Sequence, residues 1–317
     1  MSTGAPIRFE QLRKSYGETV AVEDFSLEVH AGEIFGLIGP DGAGKTTAMR
    51  IACGLLLPDS GRVLITGRDS AKETSLIKEH LGYMPQRFSL YPDLTVSENL
   101  RFFADMYRVP ETERRERESR LMQFSRLDPF RKRRAGKLSG GMKQKLALSC
   151  ILIHTPDVLI LDEPTTGVDP ISRQEFWQIL KDLAQEGRAL LVSTPYMDEA
   201  LLCHRVALVH KGLIIAQGTP DEVTTRFQRK LLEVTGTDLD RARKKLMTLD
   251  SDRLDVTRFG DRLHVVYDSD EQAKMVRENL AGMQVSTERI GPTIEDAFVE
   301  LMGREKGGQN ETRSHRR

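Results

Sequence analysis

The chain reads as a doubly wound α/β domain followed by a smaller α+β module, and three observations carry that reading. A glycine-rich loop, Gly39-Pro40-Asp41-Gly42-Ala43-Gly44-Lys45-Thr46-Thr47, stands between an apolar run and a helix-forming segment. Two further apolar runs, Val158-Leu159-Ile160-Leu161 and Ala189-Leu190-Leu191-Val192, flank a helical pattern near Ser172 to Glu186. After Gly218-Thr219-Pro220 the pattern changes to the order β-α-β-β-α-β, which suggests a ferredoxin-like module.

The elements follow in order. Arg8-Phe9-Glu10-Gln11-Leu12 alternates, and Val22, Phe25, Leu27 and Val29 mark a second half-buried strand. Ile34-Phe35-Gly36-Leu37-Ile38 is a buried strand ahead of the loop, and Ala48, Met49, Ile51 and Ala52 begin a helix after it. Arg62 to Ile65 is a strand closed by Gly67. Thr95-Val96-Ser97-Glu98 fits a capping box before a helix through Leu100, Phe103 and Met106. The charged stretch from Glu111 to Lys137 reads as solvent-facing helices with narrow apolar stripes. Met142, Leu146, Ser149 and Ile153 recur at helical spacing, so one face of that helix is expected to pack inward. Val206 to Val209 and Leu213 to Ala216 form a hairpin at Lys211-Gly212.

In the second part a helix begins at Asp221 and a strand follows at Leu231 to Val234. Next come a helix from Leu239 to Met247 and a hairpin around Gly260-Asp261. A helix from Glu271 to Leu280, a strand near Val285 and a helix from Ile294 to Met302 complete it. Thr293 and Asp296 can cap that last helix reciprocally. The expected division is 1–220 and 221–303, with a disordered tail over 304–317.

The loop fits G-x-x-x-x-G-K-[ST], and its context of strand, loop and helix is the one phosphate binding needs. Gly39, Gly42 and Gly44 permit backbone angles a side chain forbids, so successive N–H groups can converge on phosphate oxygens. Lys45 brings a point charge to the outer phosphates, and the Thr46 hydroxyl is a Mg²⁺ ligand. Asp41 is expected to face outward, since a carboxylate beside phosphates is repulsive. Asp162-Glu163 follow a strand, where α/β sheets place ligands. Asp162 suits Mg²⁺ through water, and Glu163 suits orienting an attacking water. Leu138-Ser139-Gly140-Gly141-Met142 opens another helix and offers a second anion site at its positive end.

Composition bounds the rest. The 47 basic and 47 acidic side chains cancel, and the sequence pI is 7.1, so no net field draws the chain to nucleic acid or an anionic bilayer. Arg131-Lys132-Arg133-Arg134 reads as a solvated helix end, with a targeting or nucleic-acid cluster as the alternative. Cys53, Cys150 and Cys203 form no Cys-x-x-Cys pair and read as reduced core residues of a cytosolic protein. Met1 to Pro6 has no signal-peptide core, and no apolar run approaches the ~20 residues a span requires.

Together these residues resemble the ABC ATPase family. Gly39 to Thr47, Leu138 to Met142 and Leu159 to Pro164 resemble its Walker A, signature and Walker B motifs. Tyr83-Met84-Pro85-Gln86 resembles the glutamine loop, Gly167-Val168-Asp169-Pro170 the D-loop, and Tyr16 the aromatic that stacks on adenine. Ser193-Thr194-Pro195-Tyr196-Met197-Asp198-Glu199-Ala200 resembles the switch segment. The match runs from about Ile7 to Thr219. It implies a P-loop NTPase cassette with a mixed sheet core, a helical subdomain over about 87–156, and the small α+β module after it.

The resemblance also implies ATP and Mg²⁺ as cofactors. ATP would lie between the phosphate loop of one cassette and Ser139, Gly140 and Gly141 of a second, with Asp169 crossing the interface and Gln86 contacting the Mg²⁺ region. Pro292 to Phe298 resembles export-type, multidrug-like members. The implied partners are a transmembrane permease subunit and a second cassette, equal or different, with no nucleic acid. The implied place is the cytoplasmic face of the cell membrane, reached through the permease. A soluble, non-transport ABC ATPase is the other class, but Lys45 to Leu138 is too short for the coiled coil of chromosome-type members, and only one cassette is present.

Two positions depart from the family. Pro195 stands where a histidine usually contacts the γ-phosphate, and proline has neither donor nor charge. Slow or asymmetric hydrolysis is the expectation, with a nucleotide-gated module of little turnover as the alternative, and Tyr196 is a candidate to compensate. Met142 replaces the usual glutamine of the signature, a milder change.

Overall fold

Alternation of apolar and polar residues builds the first sheet. β1 (Ile7–Tyr16) pairs antiparallel with β2 (Thr19–Val29) and β4 (Ser60–Ile65), and β5 (Arg68–Asp69) extends the order to β2-β1-β4-β5. The computed structural model describes residues 4–87, 90–249 and 254–302.

The second sheet is mixed. It contains β3 (Ile34–Ile38), β6 (Leu81–Met84), β7 (Val158–Asp162), β8 (Ala189–Thr194), β9 (Arg205–His210) and β10 (Leu213–Gly218) in the order β10-β9-β3-β8-β7-β6. All neighbours are parallel except β9 and β10, the expected hairpin. Every residue of β3, β7 and β8 is buried, as befits parallel strands covered on both faces. α1 (Lys45–Ala52) lies between the sheets: its Ala48, Met49, Ile51 and Ala52 share one core with Phe9 and Phe25 of the first sheet and Leu37 and Ile160 of the second. α6 (Pro170–Gln185) contacts β3 and β8 and buries Phe176, Trp177 and Leu180. α2 (Thr74–Ile77) is a single turn before β6.

Between β6 and β7 come α3 (Val96–Met106), α4 (Glu111–Phe124) and α5 (Gly140–Leu152). The capping box at Thr95 is present: Glu98 N–H donates to Thr95 Oγ1 at 3.2 Å and Thr95 N–H to Glu98 Oε2 at 2.7 Å. α4 buries only Leu121 and Met122, near its end. α5 departs from expectation. Instead of one inward face, every residue from Lys145 to Leu152 is buried, because α3, α4, α6 and β6 surround it. Its 3.6-residue stripe is real, but neighbours that are distant in sequence cover the other faces too.

The parallel register sets the level at which strands end. Ile38 of β3 pairs with Thr194 of β8, and Asp162 of β7 pairs with Ser193 of β8. Three adjacent strands therefore release their chains at one edge.

Contacts divide the chain at Pro220/Asp221. The short α7 (Pro220–Thr224) begins one residue before the expected start. The second unit contains β11 (Lys230–Gly236), α8 (Leu239–Met247), β12 (Asp255–Phe259), β13 (Arg262–Tyr267), α9 (Asp270–Leu280), β14 (Val285–Ile290) and a helix over 294–302. Its sheet is antiparallel, in the order β12-β13-β11-β14. Leu232, Val234, Leu263, Val265 and Tyr267 pack on Ala242, Leu246, Val276 and Leu280 of the helices. Residue 303 and the tail 304–317 lie outside the described residues.

A buried polar pair fastens the last helix. His264 Nδ1 lies 2.7 Å from Asp296 Oδ1, with both side chains under 5% exposed, and Glu233 Oε2 lies 3.6 Å from His264 Nε2. Asp296 Oδ2 also accepts Thr293 N–H at 2.9 Å, and Asp296 N–H donates to Thr293 Oγ1 at 3.2 Å, the reciprocal cap. Burial pulls the His264 pKa down, but the bond and charge of Asp296, with Glu233, raise it above the usual 6.5. Burial pushes Asp296 up, but His264 and Thr293 bring it below the usual 3.8. The His264 contribution is complete below pH 6.5 and is lost as pH rises through its raised folded value. The Asp296 contribution is complete above pH 3.8 and is lost as pH falls through its depressed folded value. Thermal melts of the full chain should therefore show the transition of the second unit highest between pH 4 and 6.5. Asp296→Ala should destabilise that unit by about 3 kcal/mol, measured by denaturant titration.

Candidate functional site

The loop from Gly39 to Gly44 joins β3 to α1 and turns on its glycines. Gly42 has φ +76° and Gly44 φ +107°, in the left-handed region. A Cβ on Gly44 would sit 2.2 Å from the carbonyl oxygen of Ala21, and one on Gly39 would sit 2.2 Å from that of Val209. Gly44 is the N-cap of α1 and offers no side chain to the first N–H groups of that helix, which leaves them for an anion. The buried Lys45 ammonium donates to the carbonyl oxygens of Gly39 at 2.6 Å and Pro40 at 3.0 Å. Asp41 is exposed, as expected, and Ala43 is buried. Thr47 is half-buried.

The carboxylates arrive from β7. Asp162 closes the strand and is 1% exposed. Its Oδ1 accepts the Thr46 hydroxyl at 3.1 Å and the Ser193 hydroxyl at 2.6 Å. Its Oδ2 is buried and has no hydrogen-bond partner among the described residues. A buried carboxylate oxygen with no donor, beside a threonine hydroxyl, fits a hard divalent cation such as Mg²⁺. Glu163 sits at φ +50°, a left-handed backbone that costs a non-glycine residue roughly 1–3 kcal/mol. Its N–H donates to both Ser193 O at 3.2 Å and Ser193 Oγ at 2.9 Å. Its carboxylate lies 3.5 Å from Lys45 Nζ and accepts Gln86 Nε2 at 2.9 Å and the Thr166 hydroxyl at 3.4 Å.

Lys45, Thr46, Gln86, Asp162 and Glu163 are thus one hydrogen-bonded and ion-paired group. Tyr16 closes β1 with its ring 51% exposed and the Lys14 ammonium 6.0 Å from it. It lies outside that network, on the sheet whose Ala21 abuts Gly44.

Ser139, Gly140 and Gly141 form a second group. Ser139 caps α5, its Oγ accepting Met142 N–H at 3.3 Å. A Cβ on Gly141 would sit 2.4 Å from Ser172 Cβ, and one on Gly140 3.4 Å from Gly167 O. The start of α5 therefore packs on the start of α6. There, Asp169 caps α6 by accepting Ser172 N–H at 2.9 Å, and these bonds hold its pKa below the usual 3.8.

The switch segment holds a feature the sequence did not reveal. Pro195 is half-buried just past β8. The ring of Tyr196, the candidate to compensate, lies against Arg173 of α6, whose guanidinium is 4.3 Å from the ring centre. Arg173 also lies 3.6 Å from buried Glu199, which accepts the Thr165 hydroxyl at 2.8 Å. Arg173 and Thr165 carry no motif of their own; Ser193 and Glu199 fall in the switch segment, and the polar Ser193 in an apolar strand was a signal of its role that could have been read.

Gly44→Ala should cost at least about 2 kcal/mol of stability in the first unit from strain alone, with the Ala21 clash adding to it, measured by denaturant titration.

Comparison with known proteins agrees with this geometry. The model of the ABC transporter family matches residues 22–166. The chain is 42% identical over 289 residues to the probable multidrug ABC transporter ATP-binding protein YbhF of Escherichia coli, covering 89% of this chain and 49% of that one, so it spans about half that relative's length. It is 36% identical over 303 residues to the Nod factor export ATP-binding protein I of Burkholderia thailandensis, covering 95% of this chain and 98% of that one. Among solved structures, an ATP-binding subunit of an ABC transporter superposes with TM-score 0.64 at 29% identity, over 70% of this chain and 93% of its own. A dimeric ATP-binding cassette in a post-hydrolysis state, bound to ADP and Pi, superposes with TM-score 0.61 at 27% identity, over 67% and 98%. With its phosphate-type loop, paired carboxylates and near full-length likeness to an export ATP-binding protein, the chain belongs to the ABC transporter family as an ATP-binding cassette.

Proposed function

We propose that this chain is the ATP-hydrolysing subunit of a membrane exporter and works as one of a pair of cassettes. The observation that carries the reading is the meeting of Lys45, Thr46, Gln86, Asp162 and Glu163 at the ends of β3, β6, β7 and β8. Its export character is supported by the multidrug and Nod factor export names of its relatives.

The roles rest on this geometry together with the family resemblance. Backbone N–H groups from Gly39 to Thr47 wrap the phosphates of ATP, and Tyr16 stacks on adenine. Lys45 exchanges its bonds to the Gly39 and Pro40 carbonyls for phosphate oxygens. The Thr46 hydroxyl and Asp162 Oδ2 would hold Mg²⁺, with Gln86 alongside. Bound there, Mg²⁺ supplies charge neutralisation on the outer phosphates. Glu163 orients the attacking water and takes its proton; Gln86 fixes the carboxylate that does so. Ser139, Gly140 and Gly141 contact nucleotide held by the second cassette, and Asp169 crosses that interface. The dimeric ADP-bound relative supports this arrangement.

ATP then joins two surfaces, and loss of the γ-phosphate releases them, which drives the permease. Among the described residues no helix is long and apolar enough to cross a membrane. Docking on a transmembrane permease at the cytoplasmic face therefore completes the reading.

Pro195 supports a second reading, a nucleotide-gated module with little turnover, because the usual histidine donor is missing and Tyr196 is held by Arg173. Single-turnover hydrolysis by the intact complex separates the two.

In steady-state assays of that complex, Lys45→Ala and Glu163→Gln should each lower ATP turnover at least ~100-fold, the latter with nucleotide affinity kept. Pro195→His should raise turnover at least ~10-fold. Wild-type protein without Mg²⁺-dependent affinity for ATP would overturn the proposal.

A further inference from the structure

We propose that Ser193 is a positioning residue that holds both carboxylates of the site in working geometry. The inference rests on the roles given above to Asp162 and Glu163.

Ser193 lies in β8, where all six residues are buried, and its own exposure is 0%. A hydroxyl in such a strand is unfavourable unless its hydrogen-bonding capacity is used. Here it is used in both directions. The hydroxyl donates to Asp162 Oδ1 at 2.6 Å and accepts the Glu163 N–H at 2.9 Å. One side chain thus touches two consecutive residues of the neighbouring strand's end. The parallel pairing of Asp162 with Ser193 makes that reach possible.

The first bond decides which oxygen of Asp162 is free. Oδ1 takes two hydroxyl donors, Thr46 and Ser193, so turning the carboxylate would break both bonds. Oδ2 is therefore held as the oxygen without a donor. Thr46 sits on the phosphate loop and would itself be drawn to the cation, so Ser193 is the donor that stays with Asp162 when the site is filled.

The second bond acts on Glu163. Its left-handed backbone is strained, and its N–H is held by the hydroxyl and the carbonyl of the same serine. The direction in which the Glu163 side chain leaves β7 is thereby tied to β8. Two residues further along that chain, Pro195 offers no donor, and the Thr194 hydroxyl accepts Tyr196 N–H at 3.1 Å. Ser193 is thus the hydroxyl by which this strand end acts on the carboxylates.

The test uses the full chain and its Ser193→Ala and Ser193→Thr variants. Affinity for a fluorescent ATP analogue is measured in EDTA and across a Mg²⁺ titration, and the Mn²⁺–nucleotide complex is followed by electron paramagnetic resonance. Partners that orient metal ligands are worth about 10–100-fold in metal affinity. Ser193→Ala is expected to raise the half-saturating Mg²⁺ concentration by about tenfold or more, with an altered Mn²⁺ spectrum. Its affinity in EDTA should stay at the wild-type value, while its melting midpoint falls because buried Asp162 Oδ1 loses a donor. Ser193→Thr, which keeps the hydroxyl, should restore the metal response. Wild-type metal response in Ser193→Ala overturns this inference and leaves the ATPase reading intact. Equal loss of affinity with and without Mg²⁺ also overturns it, since Ser193 would then maintain the fold alone. A wild-type chain whose nucleotide affinity ignores Mg²⁺ overturns the role of Asp162, and this inference with it.

Discussion

The hydrogen bonds of Asp162 Oδ1 join three parts of the chain that are remote in sequence. Thr46 brings the phosphate-type loop, Ser193 brings β8, and Asp162 itself brings β7. Such bonding requires β7 and β8 to end at the same level as β3. Parallel pairing with Asp162 opposite Ser193 and Ile38 opposite Thr194 provides that level. The apolar packing of all three strands fixes the register, because a slip of one residue would turn buried side chains to the wrong face. The polar site is therefore a consequence of the apolar core beneath it. Its one bare oxygen, Asp162 Oδ2, is bare because the core-defined register has already assigned the donors.

Strain and small residues complete that arrangement. Gly39 and Gly44 run against the carbonyls of Val209 and Ala21, so the loop is pressed onto both sheets and no side chain is tolerated at those points. Glu163 accepts a left-handed backbone that bonds from Ser193 hold in place. The helix start at Ser139 is braced differently. Gly141 packs on Ser172, and further along Lys145 of α5 is paired with Glu175 of α6. The starts of α5 and α6 are thus packed against each other, which suits two elements that would meet the same partner surface.

Pro195 changes the balance at the switch segment. Its neighbour Tyr196 lies against Arg173 of α6, which also pairs with Glu199. The second unit has a separate logic. It has its own antiparallel sheet and core, and a buried His264–Asp296 pair fastens its last helix. A pair with a raised imidazole and a lowered carboxyl is most stabilising in mildly acid solution.

Local chemistry made much of this legible in the sequence. The glycine loop, the capping boxes at Thr95 and Thr293, the hairpins at Lys211-Gly212 and Gly260-Asp261, and the order of the elements are short-range matters, settled by backbone angles and alternation within a few residues. The motif residues Lys45, Thr46, Asp162 and Glu163 were recognisable because phosphate and cation chemistry restricts which side chains can serve. Tertiary structure alone decided what periodicity cannot express. It wrapped α5 on all sides, gave Tyr196 to Arg173, and left Asp162 with one free oxygen. It also made Ser193 a bridge between the Asp162 carboxylate and the Glu163 backbone N–H. Those outcomes depend on contacts between residues far apart in the chain, whose meeting is set by the register of parallel strands and by the packing of helices against them.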